Sequence, residues 1–183
     1  ITAEAGIGKT RLIHEYLKSD KRISFSLSHA SNISSKPYFI FISLIKDIFK
    51  ISEIDSLEIT KNKFEDGIKR LIENNENLKD QLESSIPFLG FLFGINYNDD
   101  RLKDRDEIHN HIGISLKTLI KSISSQSNKK GLPYIIIFDD MHWIDKMSLD
   151  MLEYLINTLN VENTRNGDTY SQILLMATYR KEF

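Results

Sequence analysis

Residues 1–10 read ITAEAGIGKT, and this stretch decides how the rest of the chain is interpreted. Glycines at positions 6 and 8 precede Lys9 and Thr10, where a strand ending near Thr2 gives way to a helix that begins near Lys9. Glycine permits a tight curl, so backbone N–H groups of residues 6–10 can converge on phosphate oxygens. The helix adds its unpaired N–H groups and the positive end of its dipole. The stretch predicts a phosphate-binding loop in which Lys9 contacts the β- and γ-phosphates and the Thr10 hydroxyl ligates Mg²⁺.

The loop departs from its consensus at one position, because Ala3 stands where the consensus has Gly. A surface turn that opens an ordinary helix is the alternative interpretation. The motif also stands at the very start of a chain without an initiator Met. We therefore expect a fragment or an excised domain.

A second motif, YIIIFDD at residues 134–140, follows a Gly-Leu-Pro turn. A continuous apolar run of this kind is typical of a parallel strand covered on both faces. Ligands of open α/β sheets bind at the carboxyl ends of strands, so both motifs point to one edge of the sheet. There, Asp139 is expected to hold Mg²⁺ through water and Asp140 to polarise the attacking water. The alternative is that the two aspartates only start the next turn.

The order of predicted elements is typical of an α/β fold with a parallel sheet. Residues 23–27 and 173–178 are the other predicted strands. Predicted helices cover residues 10–18, 38–51, 64–82, 86–95, 108–123 and 148–159. Ser148 is the expected cap of the last helix, residues 124–130 form a linker-like stretch, and a loop containing Asn166 and Gly167 precedes the final strand. The predicted domain has a core at 1–30 and 131–183 and a helical insert at about 36–126.

Composition excludes several classes of function. The 183 residues carry a formal net charge of −2, which does not favour nucleic acid or an anionic membrane as the main partner. No apolar run approaches the roughly 20 residues that span a bilayer. The absence of cysteine excludes disulfides and thiolate metal sites and fits a reducing compartment, so we expect a cytoplasmic protein.

Three motifs in order resemble those of one protein family: AEAGIGKTRL at 3–12, DDMHWIDKMSLDMLEYL at 139–155 and LLMATYRKEF at 174–183. The chain is similar to the P-loop ATPase domain of the large signal-transduction ATPases. These are origin-recognition-like AAA modules fused to nucleotide cyclases, protein kinases or transcriptional regulators. SSKPYFIFISLIKDIF at 34–49 and IPFLGFLFGI at 86–95 stand where that family has its helical insert. The resemblance implies a three-layer αβα P-loop fold, with the insert between the second strand and the acidic strand, truncated at both ends.

The resemblance also implies roles for individual residues, with ATP and Mg²⁺ as cofactors. Asp139 and Thr10 would ligate the metal, Asp140 would take the catalytic acidic position, and Arg180 would read the γ-phosphate through its planar guanidinium. The implied nucleotide-binding residues are Ala5, Gly6, Ile7, Gly8, Lys9, Thr10, Arg11 and Thr178. ATPases of this broad type often have Glu in place of Asp140, and the shorter side chain predicts slow hydrolysis. For Arg180, a surface ion pair is the alternative.

Two residues after the acidic pair leave alternatives open. His142 is a candidate for bonding Asp140 or a phosphate, and a satisfied structural histidine is the competing interpretation. Trp143 is expected to pack the turn against a neighbouring helix rather than to touch nucleotide.

Other side chains are weaker candidates. His109 and His111 are two residues apart, so they do not share a helix face and a metal site there is disfavoured. The aromatic residues 38, 39, 41 and 49 are expected in the core rather than as a base-stacking platform. Arg101 and Arg105 are candidates for an arginine finger across a subunit boundary.

Together these features predict an ATP-binding, slowly ATP-hydrolysing switch module of a larger multidomain signalling or regulatory protein. Its expected partners are ATP and ADP, covalently attached effector domains and possibly a second copy of the chain. One alternative is a nucleotide-dependent binding scaffold without turnover. The other is a DNA-associated ATPase of the origin-binding type, which rests on the fold alone and which the near-neutral charge disfavours.

Overall fold

A parallel sheet carries the acidic residues of the second motif. The computed structural model describes residues 1, 8, 11–13, 15–16, 22–31, 36–104, 107–129, 131–165 and 172–180. Within these residues the sheet has three strands: β1 (Ser24–His29), β2 (Tyr134–Asp139) and β3 (Ile173–Ala177), in the order β1-β2-β3. Both pairings are parallel, with His29 opposite Asp139 and Phe138 opposite Ala177. The predicted α/β fold with a parallel sheet is confirmed, and its strands end at one edge, which we call the carboxyl edge.

In the described part of the chain, four α-helices lie between β1 and β2. These are α1 (Phe39–Phe49), α2 (Leu57–Asn74), α3 (Lys79–Phe91) and α4 (Ile108–Asn128), and we call them the helical insert. A fifth helix, α5 (Lys146–Arg165), connects β2 to β3. Short 3₁₀ turns cover Glu76–Leu78, Asp100–Lys103 and Met141–Trp143. The insert therefore lies between the second strand of the predicted fold and the acidic strand, as expected.

Of the predicted helix over residues 64–82, only the continuation beyond Asn74 is wrong, because α2 ends at Asn74 and Leu82 belongs to α3. Asn75 lies between the two helices, within the helical spacing of apolar residues that predicts one continuous helix. Its buried side-chain amide donates to the carbonyl of Leu71 at 2.9 Å and to the carbonyl of Ser122 in α4 at 3.2 Å. The side chain thus satisfies an unpaired carbonyl at the end of α2 and ties α2 to α4.

The linker-like stretch at residues 124–130 is also wrong, because α4 continues to Asn128. Its serines donate to carbonyls of the preceding turn, with Ser122 bonded to Leu119 at 2.7 Å and Ser124 to Lys121 at 3.0 Å. These bonds satisfy hydroxyls that are buried, so the serines continue the helix instead of ending it.

Apolar side chains cover both faces of the sheet, since successive residues of a strand point to opposite faces. All six residues of β2 are buried. Tyr134, Ile136 and Phe138 belong to the large core formed with the helices, where Phe138 meets Phe41 of α1 edge-on at 6.2 Å. Residues 135 and 137 pack on the other face against Ile13, in the helical segment 11–13 and 15–16. The sheet is therefore the middle of three layers.

Helix α1 closes the outer edge of β1 with side chains. The Leu27 N–H donates to Asp47 at 2.9 Å, and the His29 N–H donates to Ser43 at 3.2 Å. Ser43 and Asp47 are four residues apart in the helix, which corresponds to a rise of about 6 Å. Leu27 and His29 are two residues apart in the strand, which corresponds to about 6.6 Å, so the two spacings are nearly equal. These two hydrogen bonds satisfy strand N–H groups that no neighbouring strand pairs in the described sheet, and they hold α1 beside the carboxyl edge.

Candidate functional site

Asp139, the last residue of β2, is held by the end of β3. Its side chain is buried and accepts a hydrogen bond from the Thr178 hydroxyl. The backbone N–H of Asp140 lies 3.1 Å from both Asp139 Oδ1 and Thr178 Oγ1. Thr178 is itself fully buried, and its backbone bonds Phe138 and Met141 at 2.9 Å each. The arrangement fixes one oxygen of the Asp139 carboxylate in place.

His29 approaches the second oxygen of Asp139 from the side of β1. Its Nδ1 lies 3.8 Å from Asp139 Oδ2, and the N–H of Ala30 donates to the Asp139 carbonyl at 3.0 Å. The imidazole is about half exposed. Sequence reasoning missed this residue, although a polar side chain where a neighbouring parallel strand ends was the available signal.

Asp140 has the opposite environment to its neighbour. Its backbone is left-handed, with φ 57° and ψ 38°, a conformation uncommon outside glycine and more accessible to Asp than to bulky residues. Its side chain is 54% exposed. The buried, anchored Asp139 suits a metal ligand, and the exposed Asp140 suits a group that faces solvent water.

His142, two residues after Asp140 in the chain, has unusual surroundings for a polar side chain. Its side chain is only 8% exposed, and among the described residues neither ring nitrogen has a hydrogen-bond partner. An unsatisfied buried polar group costs about 1–3 kcal/mol. Its Nδ1 lies 4.0 Å from Asp140 Oδ1. Within the described residues, the competing interpretation of a satisfied structural histidine has no hydrogen-bond partner to support it.

Trp143 contacts two residues of this cluster. Its ring is tilted against His142 at 5.1 Å between centroids, and the Arg180 guanidinium lies 5.9 Å from its centre. The residue is 43% exposed, and its expected packing against a neighbouring helix stays a prediction. The contact places Arg180 at the carboxyl edge, beside the turn that follows the acidic pair.

Asp145 joins the carboxyl edge to the helical insert. Its carboxylate accepts the N–H groups of Tyr38 and Phe39 at the start of α1, both at 3.2 Å. It also accepts the Ser148 N–H at 2.9 Å, and its carbonyl accepts the Leu149 N–H at 3.0 Å, so Asp145 caps α5. The expected Ser148 cap is wrong, since Ser148 lies inside the helix. The signal for Asp145 was an Asp three residues before a Ser at the start of an apolar pattern.

Tyr38 shows how tightly this junction is made. It is buried, with its backbone in the left-handed region at φ 61°. Its hydroxyl bonds His109 Nδ1 at 2.8 Å. Burial first, and then the charge of Asp145, raise the pKa of the Tyr38 hydroxyl. The left-handed backbone of Tyr38 is therefore held by two hydrogen bonds, one from its backbone N–H to Asp145 and one from its side-chain hydroxyl to His109.

The predicted phosphate loop lies mostly outside the described residues: Ala5, Gly6, Ile7, Lys9 and Thr10. Gly8 is described, with φ 88°, a conformation that favours glycine. Its carbonyl accepts the Leu12 N–H at 2.9 Å, which marks the first helical turn. Arg11 follows, on the exposed side of that turn. Proximity of Lys9 to Asp139 stays a prediction.

A family model described as "AAA ATPase domain" matches residues 1–165. The chain belongs to the AAA ATPase domain family. Neither the curated proteins nor the solved structures gave a significant match. Membership of this family implies nucleotide binding, with hydrolysis as a possible activity and Mg²⁺ as the usual metal. The match ends before β3, so the roles of Thr178 and Arg180 rest on their place in the structure and on the sequence resemblance.

The remaining candidates in this AAA ATPase domain have structural partners. His109 bonds Tyr38, whereas His111 stacks on Phe88 with centroids 4.5 Å apart, so the two histidines have different neighbours. Arg101 lies over Phe88 and bonds Asp99 at 2.6 Å. Arg105 lies outside the described residues. Of the aromatic residues expected in the core, those at positions 38, 41 and 49 are buried and Phe39 is partly exposed.

Within the described residues, no group of three or more His, Asp or Glu side chains is arranged to hold a metal ion. None of the described helices is both long and apolar enough to cross a membrane.

Proposed function

We propose that this AAA ATPase domain binds ATP with Mg²⁺ and hydrolyses it slowly, as a switch module of a larger multidomain signalling or regulatory protein. The observation that carries the proposal is the pair Asp139 and Asp140 at the end of the central strand. One carboxylate is buried and anchored by Thr178, and the other is exposed in a left-handed turn. Metal binding and water activation need these two environments side by side.

The residues fit a magnesium ion held between protein and nucleotide. Mg²⁺ prefers oxygen ligands and is usually held by one or two carboxylates together with phosphates and water. Asp139 supplies a carboxylate at the carboxyl edge, and Thr10 would supply a hydroxyl. When bound, the metal would neutralise negative charge on the phosphates. The fit rests on the donor chemistry of these two side chains.

The nucleotide would lie between the phosphate loop and the carboxyl edge. Gly6, Gly8, Lys9 and Thr10 would hold its phosphates, with Ala5, Ile7 and Arg11 beside them. In support, Ile1 lies beside the end of β3, where its backbone carbonyl accepts the Tyr179 N–H at 3.4 Å. This contact favours an approach of the chain to the predicted loop from the edge that carries the acidic pair.

A conformational change that depends on the bound nucleotide would be transmitted from the carboxyl edge to the helical insert. Thr178 and Arg180 would respond to the γ-phosphate, and the turn from Asp140 to Asp145 would carry the change to α1. Asp145 supports this step because it accepts hydrogen bonds from the first turns of both α1 and α5. A switch of this kind needs an element whose position depends on the nucleotide.

Trp143 offers a direct test of nucleotide binding, because it is the only tryptophan in the chain and lies at the carboxyl edge. We expect ATP with Mg²⁺ to change its emission and to raise the melting temperature. Lys9→Ala should abolish both responses, while Lys69→Ala, on the exposed surface of α2, should keep them. Unchanged ATP affinity in Lys9→Ala would show that the site is wrongly assigned.

A nucleotide-dependent scaffold without turnover is the second candidate, since Asp140 is one methylene shorter than the Glu common at this position. Single-turnover hydrolysis of labelled ATP separates the two. Slow turnover by the wild-type chain that falls sharply, to a low residual rate, in Asp140→Asn supports the ATPase. ATP binding with no product in either chain supports the scaffold. The subfamily, the attached effector domains, self-association and the cytoplasmic location stay predictions.

A further inference from the structure

The imidazole of His142 is buried next to the residues proposed for ATP hydrolysis. It lies three residues after the anchored Asp139, with both ring nitrogens buried and unpartnered within the described residues. Native proteins pair the great majority of such groups, and the exceptions call for an explanation. A leucine would fill similar space without this cost.

Asp140 is the acidic group that approaches this imidazole. Its Oδ1 lies 4.0 Å from His142 Nδ1, about 1 Å beyond a normal hydrogen bond. The Asp140 backbone is anchored through its N–H to Asp139 and Thr178, whereas its side chain is more than half exposed. A small rotation of the carboxylate on a fixed backbone would close the gap.

The imidazole is restrained on the other side. Its ring lies against the indole of Trp143, which in turn lies against the Arg180 guanidinium. The two residues proposed for the chemistry, Asp140 and Arg180, are therefore linked by two aromatic rings in contact. A restrained donor is suited to orienting a mobile acceptor.

We propose that His142 is the positioning residue for Asp140. When ATP is bound, the Nδ1–H of His142 donates to one carboxylate oxygen, and the other oxygen faces the attacking water. Hydrogen bonds of this kind are often long without substrate and shorten in the substrate complex. The bond would restrict a side chain that is shorter than the usual Glu. This inference rests on the proposed hydrolysis.

Three variants of the full chain test it by single-turnover hydrolysis and ATP affinity. His142→Leu should lower the hydrolysis rate about 10- to 100-fold, as expected when a reacting group is misplaced by about 1 Å. Its ATP affinity should stay within about threefold of the wild type. His142→Asn places an amide N–H near the position of Nδ1 and should recover most of the rate. His142→Gln, which extends further, should recover less.

A double-mutant cycle shows whether His142 acts through Asp140. In an Asp140→Asn background the carboxylate is absent, so adding His142→Leu should lower the remaining rate less than twofold. An independent catalytic role would instead give multiplicative losses. Stability supplies a further readout, since removal of an unsatisfied buried imidazole should leave the melting temperature of His142→Leu equal to or above the wild type. A merely structural histidine would give a lower value.

The outcomes separate this inference from the function on which it rests. If the wild type hydrolyses ATP and His142→Leu does so at the same rate, the positioning role fails and the ATPase stands. If the wild type binds ATP without turnover, both hydrolysis and the positioning role fail. If His142→Leu does not fold, the rates of His142→Asn and His142→Gln decide. Equal rates for those two variants would overturn the role of Nδ1.

Discussion

The helical insert and the carboxyl edge are built on different principles. In the insert, large apolar side chains such as Phe41, Phe64 and Phe88 are buried against one another and against the sheet. At the carboxyl edge, a few polar groups meet within two short turns. One of them, Asp139, is buried and hydrogen-bonded, while the imidazole of another, His142, is buried without a hydrogen-bond partner among the residues that the structure describes.

The difference teaches where stability and where chemistry reside in this domain. Burial of apolar area is favourable whatever the detailed geometry, so the insert gains stability from packing. Polar groups contribute little net stability, and they cost free energy when left unpaired. An edge that keeps such groups is organised for a ligand.

The largest effect is expected in the insert, from Phe41→Ala. Phe41 is fully buried in α1 and packs edge-on against Phe138 of the central strand. Its truncation should lower the free energy of unfolding by about 3–5 kcal/mol, measured by urea denaturation. Ile54→Ala is the matched control, because Ile54 is 93% exposed, and its change should stay within about 0.5 kcal/mol. Equal changes in the two variants would contradict the packing argument.

Asp145→Ala tests the junction between the two regions. The substitution leaves the N–H groups of Tyr38, Phe39 and Ser148 without their carboxylate acceptor. We expect a loss of about 2–4 kcal/mol in the free energy of unfolding, since two helix starts lose a cap. Asp150→Ala, at an exposed position of the same helix, should change little. A loss below about 1 kcal/mol for Asp145→Ala would show that the junction does not depend on this carboxylate.

Thr178→Val removes the hydroxyl that anchors Asp139 while keeping the shape of the side chain. Asp139 loses a donor and the Asp140 N–H loses one of its two acceptors, so about 1–2 kcal/mol of stability should be lost. Thr178→Ser keeps the hydroxyl and should retain most of this stability. The rate of ATP hydrolysis, measured in parallel, should fall more in Thr178→Val than in Thr178→Ser. Similar hydrolysis by the two variants would contradict a role for the hydroxyl at the edge.

The smallest effect concerns an ion pair at the surface of the insert. Hydrogen bonds from Arg101 lower the pKa of Asp99 from its ordinary 3.8 to about 2. A lowered folded-state pKa stabilises the fold above pH 4, and this contribution is lost as the pH falls from about 4 towards 2. Urea denaturation between pH 5 and pH 2 should show the wild type losing its advantage over Asp99→Asn across that range. A difference that does not vary with pH would exclude this linkage.

How much of the fold was predictable depends on the kind of signal. Tyr134–Phe138 predicted the central strand because a continuous isoleucine-rich run has few alternatives. Asn75 and the serines of α4 misled because their preference for helix ends was overridden by bonds to other helices and to the preceding turn. Boundaries set by such side-chain bonds are not visible in a periodicity.

In the candidate site, too, local motifs were predictable and contacts between distant residues were not. The motif predicted Asp139 and Asp140 as a pair, but their opposite exposures follow from Thr178, which lies 38 residues after Asp140 in the chain. Asp145 was missed because its partners in α1 are more than 100 residues away. His29 was missed for a similar reason, since it meets Asp139 only across the strand pairing.

By itself, the sequence determined that this chain is an α/β domain of the AAA ATPase type with an acidic pair after a buried strand. Local patterns suffice for that, because burial periodicity and short motifs depend on neighbours in the chain. Only the tertiary structure decided that Thr178 anchors Asp139, that Asp145 joins α1 to α5, and that the His142 side chain is buried near Asp140. These contacts are set by the way distant segments pack, and packing brings together residues whose spacing in the sequence carries no periodic signal.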